Sequence, residues 1–319
     1  MTTGLATGRC LRAPRISPSQ LSKTFSVPLA HHHRHHPAHN RATASARSFA
    51  TSPKMASEQP KIKLYWLNDS RAQNTVWLLD ELNLKYEVEA FRRSPTRQAP
   101  PELAEVHPLG KAPVLEITPA GGQQPVRIAE SGYITQYLVE HFSQNKPSLV
   151  PKKWKDGQEG RVGGETEAYA RFQYILHYVE GSFLPNLVQY LILSILKSNN
   201  VPFFIRPITS AVVSKIFSIV TRPDAERHLN LLDGFLKTAP GVDQEEGGFL
   251  CGPELTAADI LISFGITGAE EWGAYDAMGS WPGGSARAAY PVVFAYIDRL
   301  KAQPGYQRAL EKAKEIEGK

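Results

Sequence analysis

"KIKLYWLNDSRAQNTVWLLDELNLKYEVEAF", Lys61–Phe91, changes its periodicity twice within 31 residues. Lys61–Leu67 is a short apolar and aromatic run, the pattern of a strand. Beyond it, Val76, Leu79 and Leu82 fall on one face of a 3.6-residue period and predict a helix. Tyr86–Phe91 then alternates as a second strand. Tyr86 stands nineteen positions after Leu67, the spacing of a tight βαβ unit. At the entry to the helix, Ser70 and Gln73 fit the capping box S-x-x-Q, which makes Ser70 the expected cap. A capping serine keeps its own hydrogen and a second lone pair, so the same hydroxyl is also free to act on a ligand.

Working outward, a Pro-rich loop leads to "PVLEIT", the turn "PAGGQQ" and "PVRIA", which read as an antiparallel hairpin. "ESGYITQYLVEHF" (130–142) closes the unit as a helix. The order βαβ, loop, ββα over 60–142 is that of an α/β, thioredoxin-like domain. Residues 143–164 are rich in Lys, Gly and Pro and read as a flexible linker. Their "GQEGRVGG" lacks both the preceding strand and the Gly-Lys-Ser/Thr ending of a phosphate loop. From Glu165 to Lys319 every strong pattern is helical, with a bend expected at Gly181–Pro185, so the second domain is all-α.

Residues 1–54 carry eight Lys or Arg and no acid, which leaves 28 basic against 31 acidic residues, a net of −3, in the remainder. The formal charge of +5 therefore belongs to the leader, and nothing in the body argues for nucleic acid. A leader rich in Arg, Ser and Thr without a long apolar stretch reads as a transit peptide, with "RSFATS" (Arg47–Ser52) as a cleavage site and mitochondrial import as the outcome. Met55 offers an alternative start and a cytosolic form. The tract "HHHRHHPAH" stands within this leader without Cys or acidic neighbours, a poor basis for a metal site. Of two cysteines, Cys10 falls in the leader and Cys251 in the body, so a processed chain has no internal disulfide and suits a reducing compartment. "VPFFIRPITSAVVSKIFSIV" (201–220) is strongly apolar, but Pro202, Arg206, Pro207 and Lys215 interrupt it. It is too broken for a span and reads as a buried face, a partner contact or a peripheral membrane contact.

From Lys61 to Glu315 the chain resembles the glutathione transferases. Four motifs carry the likeness in order: "NDSRAQNTVWLLDELNLKYE", "PPELAEVHPLGKAPVLE", "IAESGYITQYL" and "LTAADILISF". They are most similar to a serine-type bacterial and fungal branch that includes fungal enzymes associated with the endoplasmic reticulum, a third implied location. The resemblance implies a glutathione-binding first domain, conjugation of the glutathione thiolate to small electrophiles in detoxification, peroxidase chemistry as a secondary activity, and a homodimer. It implies no metal and no bound redox cofactor, with glutathione as co-substrate.

The motifs give each residue an expected role. Pro113 opens a strand, where it cannot donate to the ladder. The resemblance makes its bond cis and turns the backbone of Ala112 toward the cysteinyl unit of glutathione. Lys111 and His107 are placed for the glycyl carboxylate, and Arg71 is carried over as a glutathione contact. Ser131 can donate to the γ-glutamyl carboxylate at a helix N-terminus, and Glu130 can pair with the ammonium. Both residues equally fit plain helix capping. Ser70 is the expected thiolate stabiliser, with Asn68 as the alternative donor, because related serine-type enzymes set the serine further from the arginine. A thiol of pKa near ~8.5 lowered by about two units requires roughly 2.7 kcal/mol, within reach of one charge-assisted hydrogen bond and a helix terminus. No cysteine stands at this turn and no C-x-x-C exists, which disfavours mixed-disulfide chemistry, and Cys251 reads as core. Thr256 and Asp259 read as a helix cap. Tyr169, Phe172, Tyr174 and Tyr178 are candidates to line an acceptor pocket, although an aromatic stripe at helical spacing also suits a core. A non-enzymatic binding or scaffold module on the same fold is the rival reading.

Overall fold

The computed structural model describes residues 59–318, apart from Gln244 and Glu246. The leader, its Arg47–Ser52 motif, the histidine tract, Cys10 and Met55 lie outside the described residues.

β1 (Lys61–Leu67) sits inside a four-stranded mixed sheet of order β2-β1-β3-β4, with β2 (Glu87–Phe91), β3 (Val114–Thr118) and β4 (Val126–Ala129). β1 runs parallel to β2, pairing Lys63 with Glu87, and antiparallel to β3, pairing Tyr65 with Val114. β3 and β4 form the expected hairpin, pairing Val114 with Ala129. α1 (Ala72–Glu81) crosses between β1 and β2, and α3 (Ser131–Phe142) follows β4. This is the thioredoxin-like arrangement. A four-residue helix, α2 (Leu103–Val106), punctuates the Pro-rich loop and is too short to show a helical period.

The helical part comprises α4 (Glu167–Tyr178), α5 (Leu184–Ile195), α6 (Arg206–Ile216), α7 (Arg222–Lys237), α8 (Ala257–Glu271), α9 (Ala274–Met278), α10 (Ala286–Ala289), α11 (Pro291–Lys301) and α12 (Pro304–Gly318). α1 buries more than one stripe because α8 and α12 pack on it as well as β1 and α3. Trp77 is 1% exposed and meets Tyr306 of α12 edge to face at 5.4 Å. Gly305 permits that approach, since a Cβ there would collide with the Trp77 ring and Glu81.

Three expectations are corrected. First, Ser70 is not the cap of α1. The N-cap is Arg71, and Ser70 Oγ instead accepts from Ala72 N–H at 3.3 Å, one residue earlier than a capping box requires. The chain reaches the helix through Asp69 at φ +50°, and this left-handed step delays the first helical residue. Second, residues 143–164 are a built stack of turns, not a featureless linker. Gln158, Arg161 and Gly164 each donate a backbone bond three residues back, and Gly157, Gly160 and Gly163 supply the positive φ between them. Lys155 N–H bonds to Gly164 O at 2.9 Å and Thr166 N–H to Lys153 O at 2.9 Å, closing the stack. Third, the bend expected at Gly181–Pro185 takes the form of a π turn, Val179–Phe183, between α4 and α5. Pro185 is the second residue of α5, in its first turn.

The Thr256 cap is present as expected. Asp259 accepts from Thr256 N–H at 2.9 Å and Thr256 Oγ1 at 2.6 Å, and also from Leu250 N–H and Tyr296 OH. Cys251 is buried, and burial drives its thiol pKa far up, so it is core and not a nucleophile. Among the described residues, no helix is long and apolar enough to cross a membrane, and no cluster of His, Cys, Asp and Glu is placed to hold a metal.

Candidate active site

The loop after α2, the start of β3 and the start of α3 converge on one polar recess. Arg71, His107, Lys111, Ala112, Pro113, Glu130 and Ser131 all line it. These are all seven residues expected to hold glutathione, drawn from three separate motifs. The Ala112–Pro113 bond is cis, as the resemblance implied. Gly110 makes the turn into it at φ +57° and donates to His107 O at 2.8 Å. His107 Nδ1 accepts from Leu109 N–H at 3.4 Å, so its ring partly serves the loop itself. Lys111 is exposed at the rim.

Glu130 is the N-cap of α3 at φ +71°, ψ +115°, a conformation that a non-glycine residue rarely adopts. Such strain persists where the surrounding structure imposes it. Here it starts α3 at the edge of the recess, and Ser131 follows, 2% exposed. Ser131 Oγ is buried with no hydrogen-bond partner.

Beside the recess, and sharing Arg71, Lys111 and Ala112 with it, opens a cleft of about 940 Å³. Ser70 faces this cleft and is itself 6% exposed. Its Oγ accepts from Ala72 N–H, and its own hydrogen has no acceptor among the described residues. Asn68 is not brought to the same place. Its Oδ1 accepts from Arg93 N–H at 2.7 Å, and it lines a different cavity between β2 and the end of α12. Of the two candidate thiolate donors, only Ser70 meets the cleft.

The cleft's far wall is apolar. α5 supplies Leu184, Pro185, Leu187, Val188, Leu191, Ile192 and Leu193, with Gln189 as its one polar member, and Ile216, Phe264, Gly265 and Trp272 complete it. The four aromatics expected there lie elsewhere, and that expectation is corrected. Phe172 is core at 1% exposure. Tyr178 is buried and shares a 2.8 Å hydrogen bond with His228 Nδ1. Tyr174 stacks on Tyr178 and meets Phe235. Tyr169 lies under Lys153. The stripe follows α4, one π turn before the cleft-lining helix, so it packs against the other helices. The leucines of α5 carried the signal instead, as an apolar run ahead of the exposed Phe203 and Phe204.

One further residue stands in the cleft that spacing and motif did not single out. Glu180, on the π turn, forms an ion pair with Arg71. It is the sole acid between Glu167 and Asp224, which was the available clue. Burial lifts its carboxyl pKa above the ordinary value, Arg71 and Ser131 pull it back, and Glu130 pushes it up again. The Ser131 hydroxyl lies close enough to the Glu180 carboxyl to lower its pKa as a hydrogen-bond partner, although by strict geometry Glu180 Oε1 and Ser131 Oγ are each unpaired.

Residues 60–140 match the family described as "Glutathione S-transferase, N-terminal domain". Glutathione S-transferase 1 of Saccharomyces cerevisiae is 30% identical over 257 residues, 81% of this chain and 97% of that one. The chain belongs to the glutathione S-transferase family. Glutathione S-transferase 3 of Schizosaccharomyces pombe is 27% identical over 66% of this chain and 74% of its own. Among solved structures, a glutathione S-transferase from Actinobacillus pleuropneumoniae aligns with a TM-score of 0.50 and 26% identity, covering 79% of this chain and 93% of that one. The glutathione transferase URE2P8 from Phanerochaete chrysosporium, solved with oxidized glutathione, aligns with a TM-score of 0.55 over 83% of this chain and 100% of its own. At 15% identity it supports the fold alone: a thioredoxin-like half followed by an all-helical half.

Proposed function

We propose that the protein binds reduced glutathione in the polar recess, stabilises its thiolate at Ser70 and conjugates it to apolar electrophiles held in the adjoining cleft. One observation carries this reading: seven residues from three motifs line a single recess that opens beside Ser70 onto an apolar wall. A thiolate there meets a hydroxyl with a free hydrogen and lies near the start of α1, whose dipole favours negative charge. Clearance of reactive electrophiles follows as the role. Reduction of hydroperoxides by the same thiolate extends the proposal, and turnover of an organic hydroperoxide tests it.

Calorimetric titration with reduced glutathione, followed by ultraviolet titration of the bound thiol, tests the core of the reading. Binding with a thiol pKa lowered by about two units is expected. A chain that binds no glutathione favours the scaffold reading instead.

Three finer points belong to the same proposal. Homodimerisation is expected and is read by sedimentation. Import into mitochondria is read by N-terminal sequencing of the native protein: a start near Ala50 supports it, and one at Met55 or Ala56 supports a cytosolic form. Peripheral contact with an anionic membrane surface rests on residues 181–223, which hold Lys197, Arg206, Lys215 and Arg222 and no acid, with Phe203 and Phe204 79% and 68% exposed. Co-sedimentation with anionic but not neutral vesicles is the expected result.

A further inference from the structure

A helix at the surface of a water-bathed protein keeps a polar outer face, and one that is apolar all round has something covering it. α5 has no charged residue. Its inner residues Leu184, Leu187 and Tyr190 are buried. Its outer residues Val188, Leu191, Ile192 and Ile195, with Leu196 just past its end, recur as i, i+3, i+4, i+7 and i+8, and all are exposed. Ile192 is 60% exposed and Ile195 50%. α6 and the π turn after it, Phe217–Thr221, repeat the pattern: Val213 and Phe217 are buried, whereas Ile208, Val212 and Ile219 are exposed.

These two stretches form an antiparallel hairpin. Asn186 Nδ2 donates to Thr221 O at 3.2 Å, Tyr190 stacks on Phe217 with ring centres 5.4 Å apart, and Thr209 Oγ1 donates to Leu196 O at 2.7 Å. Residues 197–205 are its tip, where Phe203 and Phe204 are exposed and meet edge to face.

Charge identifies the cover. Between Glu180 and Asp224 the chain has no acid. Lys197 donates to Ser214 Oγ and Arg206 to Val201 O, both neutral acceptors, so neither charge is compensated there. Lys215 is exposed. Pairing two copies of the hairpin about a two-fold axis would set this basic surface against itself. An anionic lipid leaflet accepts the apolar stripes and the cations together.

The cleft shares this surface. Val188, Leu191 and Ile192 belong to the outer stripe and also line the cleft. Ile192 and Leu196 are one turn apart, about 6 Å of helix. An interfacial apolar element settles about 5–10 Å into the boundary between headgroups and acyl chains. A hairpin entering tip first therefore immerses Phe203, Phe204 and Leu196 and brings the cleft mouth, at Ile192 and Leu191, to the edge of the lipid.

We propose that this hairpin docks tip first on an anionic leaflet, and that the cleft takes its electrophile from the lipid phase along the stripe from Ile195 to Leu191. The substrate class is then an uncharged electrophile carried on an acyl chain. This rests on the reading of the cleft as the acceptor site and supplies the substrate class for it. With an α,β-unsaturated aldehyde of that class, the glutathione sulfur bonds to the β-carbon and the C=C π pair shifts to the carbonyl as an enolate. The α-carbon then takes up a proton, balancing the one the thiol gave up. Nothing leaves, and no oxidant or reductant enters.

The test follows loss of glutathione thiol with the full chain and two probes. One is a phospholipid in vesicles whose acyl chain bears an α,β-unsaturated aldehyde; the other is a short, water-soluble enal. Wild type is expected to consume the vesicle-held probe at least about tenfold faster on phosphatidylserine-containing than on pure phosphatidylcholine vesicles. The double variant Phe203→Ser/Phe204→Ser, at two residues outside the cleft, should lose at least about tenfold on the vesicle-held probe and stay within about twofold on the soluble one. Lys215→Glu, a change of two charges, should weaken binding to the anionic vesicles about tenfold. Turnover of the soluble enal with none of the vesicle-held probe overturns this inference and leaves the conjugation reading standing; turnover of neither sinks that reading. Equal rates on the two vesicle types, or unchanged vesicle binding by Lys215→Glu, also overturn the inference. So does a natively melting double variant that keeps its vesicle rate or loses both rates in parallel. A double variant that sediments without lipid as a smaller species than wild type would make the face a contact between copies, and overturns it too.

Discussion

The side chain of Asn74 in α1 closes onto α8 through three hydrogen bonds. Its Nδ2 donates to Leu261 O at 2.6 Å, and its Oδ1 accepts from Ser263 Oγ at 3.0 Å and Phe264 N–H at 3.2 Å. An amide held by three hydrogen bonds ties the helical part to α1, and hence helps set how the α5 wall faces Ser70. Asn74→Ala leaves buried groups short of partners and is expected to destabilise the fold by on the order of 2 kcal/mol. Urea unfolding should show a lower midpoint at unchanged slope. A midpoint equal to wild type would mean the seam contributes nothing.

Ser70 and Asn68 should separate cleanly in kinetics. Ser70→Ala is expected to lower turnover about 10- to 100-fold, the range of one charge-assisted hydrogen bond, with little change in the KM for glutathione. Asn68→Ala should turn over near the wild-type rate, because the Asn68 amide is engaged by Arg93 in another cavity. The reverse pattern would transfer the thiolate role to Asn68.

The acceptor wall gives a third contrast. Leu191→Ser removes apolar surface from the cleft at a residue that is 40% exposed, so the core is little disturbed. The KM for an apolar electrophile should rise about tenfold while that for glutathione holds. Tyr174→Ala, outside the cleft, should leave both unchanged; an effect on the electrophile from Tyr174 and none from Leu191 would restore the aromatic stripe to the pocket.

His228 predicts a pH dependence of stability. Burial holds its pKa below the ordinary value, against the pull of Asp224, and its Nδ1 shares a hydrogen bond with Tyr178 OH. Below about pH 6.5 the unfolded chain takes up a proton that the folded chain refuses, so stability falls as pH drops through that point. The slope from this group is at most about 1.4 kcal/mol per pH unit and ends at the folded pKa. Thermal melting across this range should show it, and His228→Asn should flatten it. An unchanged slope in the variant would assign the effect elsewhere.

The strands, α1 and α3 were legible because each rests on short-range rules, whereas the recess was implied by the family resemblance of its motifs. Alternation marks Tyr86–Phe91, 3.6-residue spacing marks Val76 to Leu82, and the order of the motifs brings His107, Pro113 and Ser131 together. What failed depended on backbone geometry or on distant partners. Asp69 at positive φ displaced Ser70 from its cap, and sequence spacing carries no trace of that step. Tyr169 to Tyr178 and Leu184 to Ile192 are both apolar at helical period, and only packing decides which helix reaches the cleft. Glu180 and Arg71 stand 109 residues apart, so their pairing belongs to the tertiary fold alone.

The π turn at Val179–Phe183 carries one more residue per turn than its neighbours, and it sets the rotational phase of everything downstream. Rewinding these same five residues into an ordinary helix, with none deleted, would swing α5 by about 100° about its own axis. The leucines would then leave the cleft for solvent, and Glu180 would lose its hold on Arg71. The spare residue works as a gear tooth that meshes two halves whose chemistry requires both.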